Sequence, residues 1–591
     1  MSQADALGAL PEWDLSDLYP GPDSPALTTD LDNADTEAKA FRDAYAGKLA
    51  SLDGAGMAAA VQRYEALGET MGRIMSYAQL LHAGNVADPD VGKFYQSMQE
   101  RVNAIASLTL FFVLEMNHID DARMAALLQN PTLARYRPWI EAERVMKPYQ
   151  LDDEMEQLLH EKSVAGAAAW SRLFDQTVAG LRFKVGKQEM TSEQALHLLS
   201  EPDAKARKQA AMALAKTFEA NVGLFAHIYN TLVKDKEIED RWRKLPSPQM
   251  ARHLSNRVEP EVVQALRDAV WDAFPKLSHR YYALKAKWLG MKKMEFWDRN
   301  APLPDVDDRT FTFPQARDVV LDAYGQFSPE LASVGKRFFD QPWIDAPTRP
   351  GKAGGAFAHP TVVSAHPYLL LNYQGKTRDV MTLAHELGHG VHQILAAEQG
   401  PLLSYTPLTL AETASVFGEQ LTFRALLAAE TEPARRKAML ASKVEDMINT
   451  VVRQTAFYEF ESRVHAQRRE GELTPDALCQ IWMDVQAESL GPAIKLRPEY
   501  RTYWCYIMHF VHAPFYVYAY AFGDCLVNSL YAVYQGAEAG FQDKYLDLLR
   551  AGGTKRHKEL LAPFGLDASD PAFWQKGLGV ISSFIDELET L

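Results

Sequence analysis

Residues 377–397 read TRDVMTLAHELGHGVHQILAA, with His385-Glu386-Leu387-Gly388-His389 inside them. Leu383, Leu387, Val391 and Leu395 recur every four residues with no interrupting proline, which predicts a helix with one apolar face. On such a helix His385 and His389 stand one turn apart, so both imidazoles can reach a single ion at about 2 Å. Glu386 projects beside the pair, placed to take a proton from water held at that ion. This is the HExxH arrangement of zinc hydrolases; the competing reading is a helix with incidental histidines on a polar stripe.

The source of a third ligand separates the classes of such sites. The longer pattern HExxHxxGxxH is excluded, because His392 and Leu395 stand where its glycine and third histidine would be. A third ligand is therefore expected from a second helix. Thr406-Pro407 reads as a cap followed by a first-turn proline, and LTLAETASVFGEQLTFRALLA continues from it. Glu412 lies near the start of that helix, and the polar stretch from Glu398 to Pro407 lets the chain fold back antiparallel to the first. Two histidines and one carboxylate leave a fourth position open, as in catalytic sites.

HELGHGVH followed by LAETAS resembles the thimet-oligopeptidase superfamily of zinc peptidases, and within it the oligoendopeptidase F family. The resemblance implies one Zn²⁺ held by His385, His389 and Glu412, with Glu386 as the catalytic base. It makes His392 a packing or outer residue, because one helix presents only a pair comfortably. Glu419 lies seven residues beyond Glu412, on the same face. Two readings of it stay open: a partner orienting a ligand histidine, or a solvated helix charge.

Composition narrows the partners. The 591 residues carry 47% hydrophobic side chains and a net charge of −15, which argues against nucleic acid or an anionic membrane as partner. Cys479, Cys505 and Cys525 have no CxxC spacing, so neither a disulfide framework nor a thiolate zinc site is expected. The start MSQADALGALPEW lacks the basic and apolar regions of a signal peptide. YWCYIMHFVHAPFYVYAYAFG, residues 503–523, approaches membrane length but holds His509, His512 and Pro514, and reads as a buried helix. The expectation is a cytoplasmic protein; oligomeric state is open, with a monomer the simpler case.

Elsewhere the texture is helical. Helices are expected at 56–84, from Asp88-Pro89 to about Met116, at 131–163, at 192–199 after a capping box at Thr191–Gln194, at 202–240 and at 258–289. PEWDLSDLYP, residues 11–20, reads as an extended piece anchored by Trp13, Leu15, Leu18 and Tyr19, and it too resembles the family. A proline- and aspartate-rich connection follows at 296–315. Residues 350–376 form the one convincing β element, with TVVSA and YLLLNY as strands. By resemblance this element supplies an edge strand above the metal, to which an extended peptide could add by main-chain hydrogen bonds.

HFVHAPFYVYAYA, from His509, resembles the family's pattern HFxxxPFYVYxYA, whose role is to bind substrate and stabilise the oxyanion. That implies roles for His509, Tyr516 and Tyr520, with Tyr518 a weaker candidate and His512 packing or capping. Neutral donors near a developing oxyanion lower the barrier. Without the resemblance the stretch reads as aromatic core with tyrosines at its edges.

The expected fold is mainly α, with a zincin-type core and a small sheet. The resemblance adds two helical lobes around a deep substrate channel, and an N-terminal region of residues 1–200 ahead of a catalytic region of residues 201–591. The implied activity is zinc-dependent hydrolysis of internal bonds in short unstructured peptides, folded proteins being excluded. The alternative is a zinc carboxypeptidase that releases single C-terminal residues.

Overall fold

Apolar residues at helical spacing, punctuated by Asp-Pro, Asn-Pro and Ser-Pro pairs, set where this chain starts its helices. The computed structural model describes residues 7–163, 165–303, 309–536 and 539–591, and most of them are helical with a few short strands. Ser24, Asp88, Asn130, Ser328, Thr474 and Asp570 each cap a helix whose first position is proline. Thr191 and Gln194 form the expected capping box. Among the described residues no single helix is long and apolar enough to cross a membrane.

The chain packs as two compact units, each assembled from three stretches. The first comprises Met1–Lys147, Asp308–Ala429 and Gly536–Gly565. Its N-terminal helices share a core of Phe41, Phe112, Leu133, Ile140 and their neighbours. The helix expected to run to Met116 ends instead at Ser107 and resumes as Phe111–His118, which leaves Leu110 on the surface. The pattern at 131–163 likewise breaks into Pro131–Ala134, Arg137–Glu143, a 3-10 turn at Arg144–Tyr149 and Asp153–Ser163. Pro138 and Pro148 lack the N–H that would carry a helix through.

The same unit holds a three-stranded sheet, with Tyr368–Tyr373 between Ile344–Pro347 (parallel) and Phe357–His359 (antiparallel). YLLLNY is thus the central strand, but TVVSA forms a turn rather than a strand. Thr361 adopts φ +56°, and its hydroxyl donates to the His366 carbonyl at 2.7 Å, so the backbone turns where β-branched composition suggested extension. PEWDLSDLYP contains a 3-10 turn at Leu15–Asp17 and is anchored on this sheet. The Ala346 N–H donates to the Pro11 carbonyl at 2.9 Å, and Trp13 meets the Tyr368 ring edge-on at 6.0 Å.

The second unit comprises Pro148–Asp307, Glu430–Gln535 and Leu566–Leu591. Its longest element is the helix Ala204–Arg243, capped by Asp203. Pro275 divides the pattern expected over 258–289 into Pro260–Ala273 and Ser278–Trp288. A hairpin of Phe183–Val185 with Gln188–Met190 appears where no strand was expected. Part of the 296–315 connection, residues 304–308, lies outside the described residues. The run 503–523 is not one buried helix: it forms a 3-10 turn at Tyr503–Tyr506, a short helix at His509–His512, then a helix from Tyr518 to Gln535. Pro514 and the left-handed Phe515 (φ +58°) make that break.

Candidate active site

The motif helix spans Thr377–Ala396 and buries Leu383, Leu387, Val391 and Leu395, the apolar stripe read from the sequence. Its partner is Thr413–Ala429. The pattern expected to be one helix from Thr406 is interrupted, because Leu408–Ala411 forms a single turn that ends at Glu412 before Thr413 restarts the helix. Glu412 therefore sits at a break, held by its own neighbours: Ser415 Oγ donates to Glu412 Oε2 at 2.7 Å.

Glycines set how closely the two helices approach. A Cβ on Gly388 would lie 2.5 Å from the Ala414 carbonyl oxygen and 2.6 Å from Ser415 Cα. On Gly418 it would lie 2.1 Å from the hydroxyl of Tyr324, which donates to the Ala384 carbonyl at 2.6 Å. Only residues without side chains fit at these two contacts.

This approach brings three donors together. His385 Nε2 lies 3.4 Å and His389 Nε2 3.5 Å from Glu412 Oε2. Among the described residues these three side chains form a group able to hold a metal ion. Donor atoms at 2.0–2.1 Å around a tetrahedral ion stand about 3.3 Å apart, so the spacing and the donor set suit a borderline divalent cation. Behind the triad His385 Nδ1 faces Glu419 Oε2 at 3.3 Å, which favours a proton on Nδ1 and turns Nε2 toward the ion site. Of the two readings of Glu419, this geometry matches a residue that orients a ligand histidine.

The carboxylates and burial pull the histidines in opposite directions. Burial disfavours a charged His385, but Glu419, Glu412 and Glu386 outweigh it and lift the ring to about 9. Burial and the neighbouring His385 lower His389, against the pull of Glu412. Burial pushes Glu386 up to about 7; Glu412 adds to this, while His385 and the Ala358 N–H oppose it. Ala358 belongs to the edge strand Phe357–His359, so that strand abuts the motif helix at Glu386.

His392 stays outside the triad. It is buried, with Thr406 Oγ1 3.3 Å from its Nε2 and the Ala411 backbone also hydrogen-bonded to it. Thr406 thus contacts His392 rather than capping the next helix, whose cap position is Pro407.

The aromatic candidates lie in the second unit, and three of them converge there. His509 Nε2 is 3.3 Å from the Tyr520 hydroxyl, its ring stacks 6.0 Å from Tyr516, and Tyr516 and Tyr520 are 5.3 Å apart. Burial, Arg453 and His512 lower the His509 pKa and favour a neutral ring. Tyr518 instead points into the core, where Asn256 Nδ2 donates to its hydroxyl at 2.8 Å. His512 is exposed and pairs with Asp175 at 2.7 Å. Arg252 and Glu461 hydrogen-bond Pro514 and Phe515 in the turn between these aromatics, and Tyr324 and Gly388 set the spacing of the helices that carry the triad. Of the four, only Gly388 lies in a recognisable motif.

The profile described as Peptidase family M3 matches residues 197–580, and that described as Oligopeptidase F matches residues 115–183. Oligopeptidase PepF of Bacillus subtilis (strain 168) is 28% identical over 569 residues, 93% of this chain and 82% of its own. The oligoendopeptidase F homolog of Borreliella burgdorferi is 24% identical over 536 residues, 90% of each chain. A solved structure from Chlamydophila abortus has the same fold, with TM-score 0.86 at 22% identity over 100% of this chain and 98% of that one. Oligoendopeptidase-F from Enterococcus faecium follows at TM-score 0.71 and 22% identity, over 96% of this chain and 97% of its own. The M3 profile spans both the metal triad and the His509–Tyr520 stretch, and the chain belongs to peptidase family M3, a metallopeptidase family, within its oligoendopeptidase F group.

Proposed function

We propose that this peptidase is a zinc-dependent endopeptidase that cuts internal bonds of short, unstructured oligopeptides and leaves folded proteins intact. The observation that carries this reading is the convergence of His385 Nε2, His389 Nε2 and Glu412 Oε2 beside the buried Glu386. A cation bound by those three donors supplies Lewis acidity toward the scissile carbonyl and toward water. Glu386 takes the proton of the attacking water and delivers it to the leaving amine. Glu419 holds His385 in the tautomer that presents Nε2. His509, Tyr516 and Tyr520 bind substrate and donate to the oxyanion as neutral groups, which adds stabilisation without a competing charge.

The edge strand Phe357–His359, tied to Glu386 through Ala358, suits an extended peptide that pairs by main-chain hydrogen bonds, with little demand on side-chain identity. The three cysteines are free and buried, in keeping with a reducing, cytoplasmic setting. A monomer needing neither nucleic acid nor membrane completes the reading, as does the linear division of the chain near residue 200.

The test is digestion of an internally quenched oligopeptide with and without a chelator, read by mass spectrometry. Internal cuts that vanish with the chelator and return with Zn²⁺ are expected. Stepwise release of single C-terminal residues would replace this reading with the carboxypeptidase, and cleavage indifferent to chelation would remove the metal from it.

A further inference from the structure

Within the second unit, two 3-10 turns, Pro498–Tyr500 and Tyr503–Tyr506, set tyrosines ring against ring. Tyr500 and Tyr503 centroids are 4.7 Å apart, and Phe296 packs on both at 5.0 and 5.6 Å. Nearby, the helix Pro433–Ile448 widens into a π-helical turn at Asn449–Arg453 before continuing as Gln454–Arg468. Such turns recur at functional sites, because the extra residue redirects a side chain. Here Arg453 ends the turn and lines a cavity of about 260 Å³, with Trp297, Arg299, Asn300, Tyr503 and Tyr506. That is just under the lower end, about 300 Å³, of ordinary ligand pockets.

The charges around this cavity do not balance. Arg207 is paired with Asp298 at 2.8 Å, both side chains being buried. Lys285, fully buried, pairs with Glu445, which also accepts from the Tyr281 hydroxyl at 2.7 Å. Both carboxylates are thus engaged. Arg299 and Arg453 have no carboxylate partner among the described residues. Arg453 Nη2 donates to the Tyr506 hydroxyl at 3.1 Å, and its guanidinium lies 5.0 Å over the Phe457 ring. These contacts fix its plane without neutralising it. Glu445 is the carboxylate whose charge reaches Arg299, and it is already held by Lys285 and the Tyr281 hydroxyl. Both guanidiniums are half-buried, so an oxyanion entering the cavity meets positive charge that no carboxylate among the described residues has taken up.

We infer that this cavity is a binding site for a small oxyanion, a carboxylate or phosphate joined to a flat apolar body, with Arg299 and Arg453 as its charge partners. The planar guanidinium matches two oxygens of either group, and Asn300 offers an amide beside it. Trp297, Tyr503 and Tyr506 give the same cavity aromatic lining against which an apolar body can pack. None of the residues assigned above to peptide hydrolysis lines the cavity, so occupancy can be read without an activity assay.

The experiment titrates the purified protein with benzoate and, separately, with inorganic phosphate at constant ionic strength, by calorimetry and tryptophan fluorescence. Saturable binding is expected that weakens at least about tenfold in Arg299→Met and Arg453→Met, the loss appropriate to a hydrogen bond with a charged group. Arg299→Lys and Arg453→Lys keep the charge without the fork, and they carry the test if a Met variant does not fold. The tighter probe identifies the carboxylate or the phosphate as the preferred headgroup. Binding of neither probe at tens of millimolar, or binding unchanged in the Lys variants, overturns the inference.

Discussion

The buried carboxyl of Glu461 accepts the backbone N–H of Phe515 at 2.9 Å, and Phe515 holds a left-handed φ of +58°. An aromatic residue rarely adopts that conformation, and it persists only where surrounding contacts over-determine it. Arg252 Nε donates to the neighbouring Pro514 carbonyl at 3.2 Å, while its guanidinium lies 5.5 Å over the Tyr516 ring. Two side chains distant in sequence thus clamp the turn between His509 and Tyr520.

Burial pushes Glu461 up to about 8, against the Phe515 N–H and the charges of Arg252 and Lys236. Tyr229, Tyr458 and the buried His465 surround it. The folded state therefore keeps a proton that the unfolded chain releases near its ordinary carboxyl pKa of 4.5. This contribution is full below pH 4.5 and declines as pH rises through about 8. At about 1.4 kcal/mol per pKa unit it amounts to a few kcal/mol. Glu461→Gln should remove that slope, and denaturant unfolding at acid and alkaline pH measures it. Identical slopes in both proteins would exclude Glu461 as the source.

Gly388→Ala should separate the two ligand-bearing helices, since its Cβ would overlap Ala414 and Ser415. Overpacking of this kind costs about 1–3 kcal/mol. Bound metal should fall along with stability, and metal analysis of the purified variant after dialysis reads both. A variant with full metal content would show that the helices can shift without losing Glu412.

Glu386→Gln should retain metal while losing turnover by about 10²–10⁴-fold, because it removes the proton acceptor and spares the donors. Glu412→Ala should lose the metal itself. The two variants together distinguish chemistry from coordination, by metal content against kcat.

Glu419→Gln should weaken metal binding by about 10–100-fold, as expected where a carboxylate orients a ligand imidazole. A competition titration with a chromogenic chelator measures it. An unchanged affinity would return Glu419 to the status of a solvated helix charge.

Tyr520→Phe should lower kcat by about 10²–10³-fold with little change in KM if its hydroxyl serves the oxyanion. Equal loss in KM alone would make Tyr520 a binding residue instead.

Much of this was legible in the chain. The four-residue stripe through Leu383, Leu387, Val391 and Leu395 fixed the motif helix and put His385 and His389 on one face. Local chemistry also named the helix starts after Asp88 and Thr191, since such caps act over three residues. Helix breaks were less visible, because propensity describes a segment's average while a break depends on one contact. Glu412 interrupts its helix where Ser415 bonds back to it, and Phe515 turns left-handed where Glu461 meets it across 54 residues.

The sequence by itself determined the donor types and their spacing on one helix, because those follow from side-chain chemistry and helical period, while membership of a metallopeptidase family came from its match to the family profile. Only the tertiary structure decided how Glu412 reaches the histidines, which of His392 and Glu419 stands behind them, and that Arg299 and Arg453 line one cavity. Each of these depends on distances between segments far apart in the chain, and such distances are set by packing around residues such as Gly388 and Tyr324, which no local pattern encodes.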